Sequence, residues 1–239
     1  MNNTIKLLAT TSCLAILLFS CKKENPTPVI PSTPSPSTID SYIHGGALIT
    51  ASFGVSVLDE NGLPIDGATV IINTITKTTN ILGLAMFTNI STGDDRTYVE
   101  IQKTGYFNSS KAVNPVSGGM VEIDVEMIPK AIIGSFSSAT GGSVSTSEGA
   151  QVIFSSSDVA NADGSSYTGN VNVSASYLDP GDPNIQDLMP GNLQAINGSG
   201  DEVILQTYGM IAVELTGDAG EELNVAPGET VEIRIPLSG

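Results

Sequence analysis

Apolar and polar residues alternate in four stretches of the chain. From Val121 to Met127 every second residue is apolar, and the residues between them are Glu122, Asp124 and Glu126. The same period of two appears at 52–57, 170–177 and 230–237. Because successive side chains of a strand point to opposite faces of a sheet, this period predicts strands with one buried face. Such strands are typical of antiparallel sheets.

Turn-forming residues separate these stretches and complete the predicted fold. Asn61-Gly62 and Asp163-Gly164 are two of the turn signals. Short strands with regular turns predict an all-β chain with two tandem antiparallel β-sandwich domains. A helical signal lies at 182–189, where Asp182 would cap a turn or two and Pro183 suits the first helical position.

The N-terminus has a different pattern. Lys6 precedes an apolar run from Leu7 to Phe19, which three hydroxyl residues interrupt. A weakly positive start and a short apolar run are typical of a secretory signal peptide, here 1–20. A single transmembrane helix is the alternative, but the run is too short and too polar to span a bilayer comfortably.

The tetrapeptide Leu18-Phe19-Ser20-Cys21 resembles a bacterial lipobox. The resemblance implies that the chain is cut before Cys21, which would carry diacylglycerol and an acylated amine. Several acyl chains on one residue give durable anchoring, since each buried methylene contributes about 0.8 kcal/mol and one chain alone is marginal. We therefore expect an exported lipoprotein of the outer membrane, surface-exposed or facing the periplasm, with the membrane as its partner through Cys21.

A proline-rich stretch follows the proposed anchor. Residues 21–41 are rich in Pro, Ser and Thr, a composition that favours an extended, semi-rigid tether. Ile128-Pro129-Lys130 ends the Val121 strand and is the best interior boundary. We therefore predict two folded domains, 42–128 and 129–239.

Composition narrows the classes of function. The chain has 239 residues, a net charge of −16 and one histidine. An acidic surface repels nucleic acid, so we expect no nucleic-acid partner. Of the two cysteines, Cys13 lies in the signal peptide and Cys21 at the lipid site, which leaves no thiol nucleophile or disulfide. His44 lies beside Gly45-Gly46, where a solvated loop residue is favoured over a catalytic one.

Residues 42–128 resemble a carboxypeptidase regulatory-like domain. The resemblance is carried by residues 55–70, which include Asp59-Glu60-Asn61-Gly62 and Asp66-Gly67-Ala68, by 79–87 and by 98–106. It implies a transthyretin-like β-sandwich that holds no catalytic residues. In bacterial surface proteins such a domain is an accessory module.

Residues 129–239 resemble the astroprincin and cartilage intermediate layer protein family. Met189-Pro190-Gly191 followed by Thr207-Tyr208-Gly209-Met210 carries the resemblance, which implies a non-enzymatic extracellular module. In that family the strand at 233–237 is followed by further sequence, whereas this sequence stops at Gly239. The domain is either truncated or closed by its last strand.

One loop is a candidate calcium site. Asp158, Asn161 and Asp163 supply oxygen atoms at near-alternating positions, and calcium favours six to eight such ligands. The alternative is a hairpin turn in which these side chains bind their own backbone, and it is the favoured one. Asp179 and Asp182 likewise bracket a Pro-Gly turn. Apart from this calcium candidate, we expect no metal and no cofactor.

Together these observations predict a non-enzymatic, membrane-anchored surface module for adhesion, binding or scaffolding. Its partner would be an unidentified protein or glycan. The six tyrosines are expected to pack in strands rather than to form platforms for sugars. One alternative is an accessory subunit of a peptidase or nutrient-uptake complex in the outer membrane. A hydrolase that uses clustered carboxylates is the third interpretation, which the single histidine disfavours.

Overall fold

Strands dominate residues 46–236, the part of the chain that the computed structural model describes, and the predicted all-β fold is confirmed. Seven strands form two sheets, with strand orders β4-β1-β7 and β3-β2-β5-β6, which we call the first sandwich. The strands are β1 (Leu48–Leu58), β2 (Thr69–Ile72), β3 (Ile75–Thr78), β4 (Leu84–Gly93), β5 (Thr97–Gln102), β6 (Ser109–Val113) and β7 (Met120–Glu126).

The alternating residues of β1 and β7 form the core of the first sandwich, as the period of two predicts. Phe53, Val55 and Val57 are completely buried, and so are Ile72 and Ile101 on the facing sheet. Side chains from both sheets therefore close one continuous apolar core.

One strand pair departs from the antiparallel prediction. β1 runs parallel to β7, with Val55 opposite Ile123 and Val57 opposite Val125, whereas β1 and β4 are antiparallel. Alternation reports that one face is buried and does not encode direction. The five strands between β1 and β7 supply the long crossover that a parallel pair requires.

The remaining strands form the second sandwich. Its two sheets have the orders β17-β10-β9 and β11-β16-β15-β12-β8, and β13 pairs with β14 as a separate hairpin. Within residues 46–236 no sheet contains strands of both sandwiches, while the predicted division at 128 and 129 stays a prediction. The elements are β8 (Ile132–Ser137), β9 (Gly142–Ser145), β10 (Gln151–Phe154), β11 (Val159–Asn161), β12 (Asn170–Leu178), α1 (Ile185–Leu188), β13 (Gln194–Ile196), β14 (Glu202–Ile204), β15 (Met210–Thr216), β16 (Glu222–Val225) and β17 (Glu232–Arg234).

The short helix α1 lies where the sequence predicts a turn or two, but it begins differently. Its N-cap residue is Asn184, and no side chain caps it. Asp182 instead accepts a hydrogen bond from the Asn184 backbone N–H at 2.7 Å. Pro183 consequently precedes the helix, so the predicted cap at Asp182 is wrong.

The last strand is shorter and more exposed than its alternation predicts. β17 has three residues, and Ile233, expected on a buried face, is 48% exposed. β17 is an edge strand that pairs with β10 on one side alone in the described part of the chain. Alternation places Ile233 on the apolar face of its strand, but that face is buried only where a facing or neighbouring strand covers it.

Candidate functional site

The two sheets of the second sandwich have unequal widths. Three strands face five, and the narrower sheet covers the β8 side of the wider one. Phe154 of β10 stacks on Phe136 of β8 with ring centroids 4.7 Å apart. A Cβ atom at Gly142 of β9 would lie 2.4 Å from the Phe136 Cβ, so the sheets touch closely there. The opposite side, at β15 and β16, receives less cover.

An apolar groove opens on that less covered side. It has a volume of about 390 Å³ and lies between β10 and β17 on one wall and β15 and β16 on the other. Val225 and Ile233 remain 39% and 48% exposed on its two walls. The apolar side chains that line it include Val152, Phe154, Leu215, Leu223, Val225 and Ile233.

The side of β17 that faces away from β10 has no partner strand within residues 46–236. Ile233 pairs with Val152 of β10, and Arg234 with Gln151. Val231 and Ile233 share one face and line the groove, because they are two residues apart. The groove therefore borders a backbone edge whose N–H and C=O groups are available for hydrogen bonds.

The rim of the groove is acidic. Glu214 pairs with Lys130 at 2.6 Å, and Glu232 pairs with Arg234 at 2.7 Å. Glu222 lines the groove, is exposed, and has no ion pair within the described residues. Glu214, Thr216, Glu222 and Asn224 are the polar residues among those that line the groove. This chemistry suits the binding of apolar side chains beside a cation.

A specific contact, separate from the groove, joins the two sandwiches, which belong to one compact unit. Lys111 of β6 is buried, and its Nζ donates to the Gln186 and Met189 carbonyls around α1. The Gly191 N–H donates to the Ser110 carbonyl at 3.2 Å. Burial lowers the pKa of Lys111 to about 8, and the nearby carboxylate of Asp187 partly opposes this shift. No sequence pattern identified Lys111 as buried.

An acidic crevice borders this contact. Glu126 of β7 accepts a hydrogen bond from Asn184 at 3.3 Å. Partial burial raises the pKa of Glu126, and the carboxylates of Asp182, Asp187 and Glu60 raise it further. The described residues contain no group of three or more acidic, histidine or cysteine side chains arranged to hold a metal ion.

The candidate calcium residues bind their own loop. Asp158 is buried and accepts from the Ser155 N–H at 2.6 Å, while Asn161 donates to the Ser165 hydroxyl at 3.0 Å. Asp163 accepts from both the N–H and the hydroxyl of Ser165, which lowers its pKa. These are the hydrogen bonds of the alternative interpretation, a hairpin turn. The calcium hypothesis stays a prediction without such a group of ligands to support it.

The remaining predicted residues fall into two groups. Cys21 and His44 lie outside the described residues. Tyr106 and Tyr167 pack against the two cores as expected, but Tyr208 is 66% exposed. No helix in residues 46–236 has the length and apolar character needed to cross a bilayer.

Comparison with known proteins supports one resemblance over part of the chain. No family model matches. Cartilage intermediate layer protein 1 of Sus scrofa is 41% identical over 63 residues, which are 26% of this chain and 10% of that protein. This chain thus matches about a tenth of that relative's length. The resemblances to the lipobox and to the carboxypeptidase regulatory-like domain stay predictions.

Two solved structures show distant likenesses. The TIE protein of Bacillus anthracis has a TM-score of 0.30 and 14% identity, over 80% of this chain and 32% of that one. A Bacteroides uniformis protein named for carbohydrate binding has a TM-score of 0.28 and 12% identity, over 78% of this chain and 99% of that one. Neither likeness is close enough to bear on the function of this chain.

Proposed function

We propose that this chain is a non-enzymatic, lipid-anchored binding module for adhesion or scaffolding outside the cell. Cys21 would carry the anchor at the outer membrane, and residues 21–41 would hold the sandwiches away from it. The observation that carries the binding role is the open apolar groove between β17 and β16. Its partner would be a protein or glycan that presents apolar groups.

The groove supports binding because it leaves Val225 and Ile233 partly in water, although the apolar side chains of Val152, Phe154, Leu215 and Leu223 in its walls are buried. Burial of apolar surface contributes about 25 cal/mol for each Å², so half-exposed Val225 and Ile233 retain free energy for a partner. A volume of about 390 Å³ lies at the small end of ligand-binding clefts, which run from roughly 300 to 1,000 Å³.

A groove-filling variant tests the binding role on intact cells. Val225→Trp places a large side chain in the groove, and Val116→Trp is the matched control because Val116 is 73% exposed elsewhere. Cells that carry the full chain would be applied to surfaces coated with extracellular proteins or glycans. We expect Val225→Trp to lower retention at least tenfold and Val116→Trp to leave it unchanged. Equal retention by both variants would remove the groove from the binding role.

The anchor is tested separately with Cys21→Ser. We expect this variant to leave the membrane fraction, because a chain without acyl groups has no lipid to insert. Protease treatment of intact cells then distinguishes an outward from a periplasmic orientation, with lysed cells as the control. Continued membrane fractionation of Cys21→Ser would contradict the lipoprotein prediction.

A further inference from the structure

We propose that the partner of the groove is an extended strand of another polypeptide, which pairs with the free edge of β17 and covers β16. This inference rests on the proposed binding role of the groove and names the class of partner. It follows from three features of the second sandwich, which are strand number, backbone edge and rim charge.

The number of strands in each sheet shows where a further strand could be added. The narrower sheet has three strands, and β9 and β10 already cover the β8 side of the five-stranded sheet. A fourth strand beside β17 would extend the narrower sheet over β16, where Val225 remains 39% exposed. The groove therefore has the position of a missing strand rather than that of an enclosed pocket.

The backbone edge selects an extended segment over an isolated apolar group. An unpaired strand edge presents N–H and C=O groups in the spacing that another strand matches. The edge of β4 in the first sandwich contrasts with it. There Lys77 donates to the Met86 carbonyl and Asn73 to the Ser91 carbonyl, so side chains occupy parts of that edge. The Tyr177 hydroxyl donates to the Pro236 carbonyl at 3.4 Å, just beyond β17, but within the described chain no side chain hydrogen-bonds to the backbone of residues 232–234.

The charges at the rim and the two-residue period of a strand together predict the sequence of the partner. Alternate side chains of an added strand would enter the groove between Ile233 and Leu223, so every second residue should be apolar. Glu214 and Glu232 pair with Lys130 and Arg234, whereas Glu222 lines the groove without an ion pair in the described residues, so outward residues of the partner that lie near it should be basic. A second copy of this chain, at a net charge of −16, fits this rim poorly.

A synthetic peptide provides the probe. The peptide has nine residues that alternate valine with lysine or threonine, and its affinity for the lipid-free full-length chain is measured by calorimetry. Three controls accompany it: a glutamate version, a version of scrambled order, and a version N-methylated on alternate backbone nitrogens. We expect each control peptide to bind at least tenfold more weakly. Hydrogen exchange should show slower exchange at residues 231–235 when the alternating peptide is bound.

Protein variants locate the site. Val225→Trp should lower the affinity for the alternating peptide at least tenfold, whereas Val116→Trp should leave it unchanged. Circular dichroism checks that both variants fold. Glu222→Lys should lower the affinity for the lysine peptide and raise the affinity for the glutamate version. A merely structural role of Glu222 would not reverse the preference in this way.

Several results would overturn strand addition. If the N-methylated peptide binds equally well, the groove binds apolar side chains without strand pairing. The proposed binding role would then stand, and strand addition would be wrong. If no peptide binds at millimolar concentration while Val225→Trp still lowers cell retention, the partner is not a strand. Concentration-dependent dimers with slowed exchange at 231–235 would make a second copy the occupant. If neither peptide binding nor cell retention depends on Val225, the proposed binding role fails as well.

Discussion

The two sandwiches use the same alternating sequence pattern and reach different degrees of closure. In the first, three strands face four, and Phe53, Ile72 and Phe87 are completely buried. In the second, three strands face five, and Ile233 and Val225 remain partly in water. Closure therefore depends on the relative widths of the facing sheets. An open sandwich keeps apolar surface that a partner can cover.

The largest expected effect comes from truncating one isoleucine in each sandwich. Ile72→Ala should lower the free energy of unfolding by about 2–5 kcal/mol, because a buried side chain leaves a cavity. Ile233→Ala should lower it by about 1 kcal/mol or less, because half of that side chain is already exposed. Chemical denaturation of both variants measures the two effects.

These two variants share one chemical change, and their sites differ in burial and in strand position, since β2 is an interior strand and β17 an edge strand. Similar losses for both would mean that Ile233 is as well packed as Ile72, and the groove would then be closed in solution. A larger loss at Ile233 would contradict the comparison outright.

The next largest effect is expected at the turn around Gly83, which lies against the end of β1 in the first sandwich. Gly83 has φ +70°, and a Cβ atom there would lie 2.5 Å from the Val57 carbonyl oxygen and 3.0 Å from the Pro64 Cβ. Its own carbonyl accepts from the Val57 N–H at 2.9 Å, so this turn holds the end of β1. We expect Gly83→Ala to cost about 2–3 kcal/mol, from backbone strain and the contact with Val57.

Gly62 is the matched control, with φ +73° and no atom within 4 Å of an added Cβ. Gly62→Ala should cost about 1 kcal/mol, the strain alone. Thermal unfolding of both variants separates strain from close contact. Equal effects would mean that the turn at Gly83 moves freely away from β1, and that the first sandwich is not closed at that end.

Local signals in the sequence predicted what depends on neighbouring residues in the chain. The alternation around Val55, Val125 and Val173 located three strands and their buried faces correctly. The Asn61-Gly62 turn formed as expected, with Asp59 accepting from the Asn61 and Leu63 N–H groups. Period and turn chemistry are local properties, which is why sequence reveals them.

Features that depend on distant strands were missed. The parallel direction of β7, the exposure of Ile233 and the burial of Lys111 each depend on an element far away in the chain. For Lys111 that element is α1, more than 70 residues later, whose surrounding carbonyls take the place of solvent. The groove escaped prediction for the same reason, because it results from the number of strands in each sheet.

The last expected effect concerns pH at the contact between the sandwiches. The pKa of Lys111 is lowered to about 8 in the fold from an ordinary 10.5, because burial disfavours the ammonium ion. Between these two values the unfolded chain binds more protons than the folded chain, so stability should rise as pH increases from about 8 to 10.5. We expect the melting temperature to rise by a few degrees over this window relative to the variant Lys111→Met, which has no amine to titrate.

The comparison with Lys111→Met is needed because three partly buried tyrosines change the stability in the opposite direction. Partial burial raises the pKa values of Tyr106, Tyr167 and Tyr177, so their stabilising contribution falls only as pH rises above about 10. The difference between wild type and Lys111→Met cancels their contribution, since both proteins keep all three. A difference that stays flat from pH 8 to 10 would mean that the Lys111 amine is hydrated. The Lys111 amine would then not hold the segment around α1 against β6 in solution, and the hydrogen bond from the Gly191 N–H to the Ser110 carbonyl would remain there.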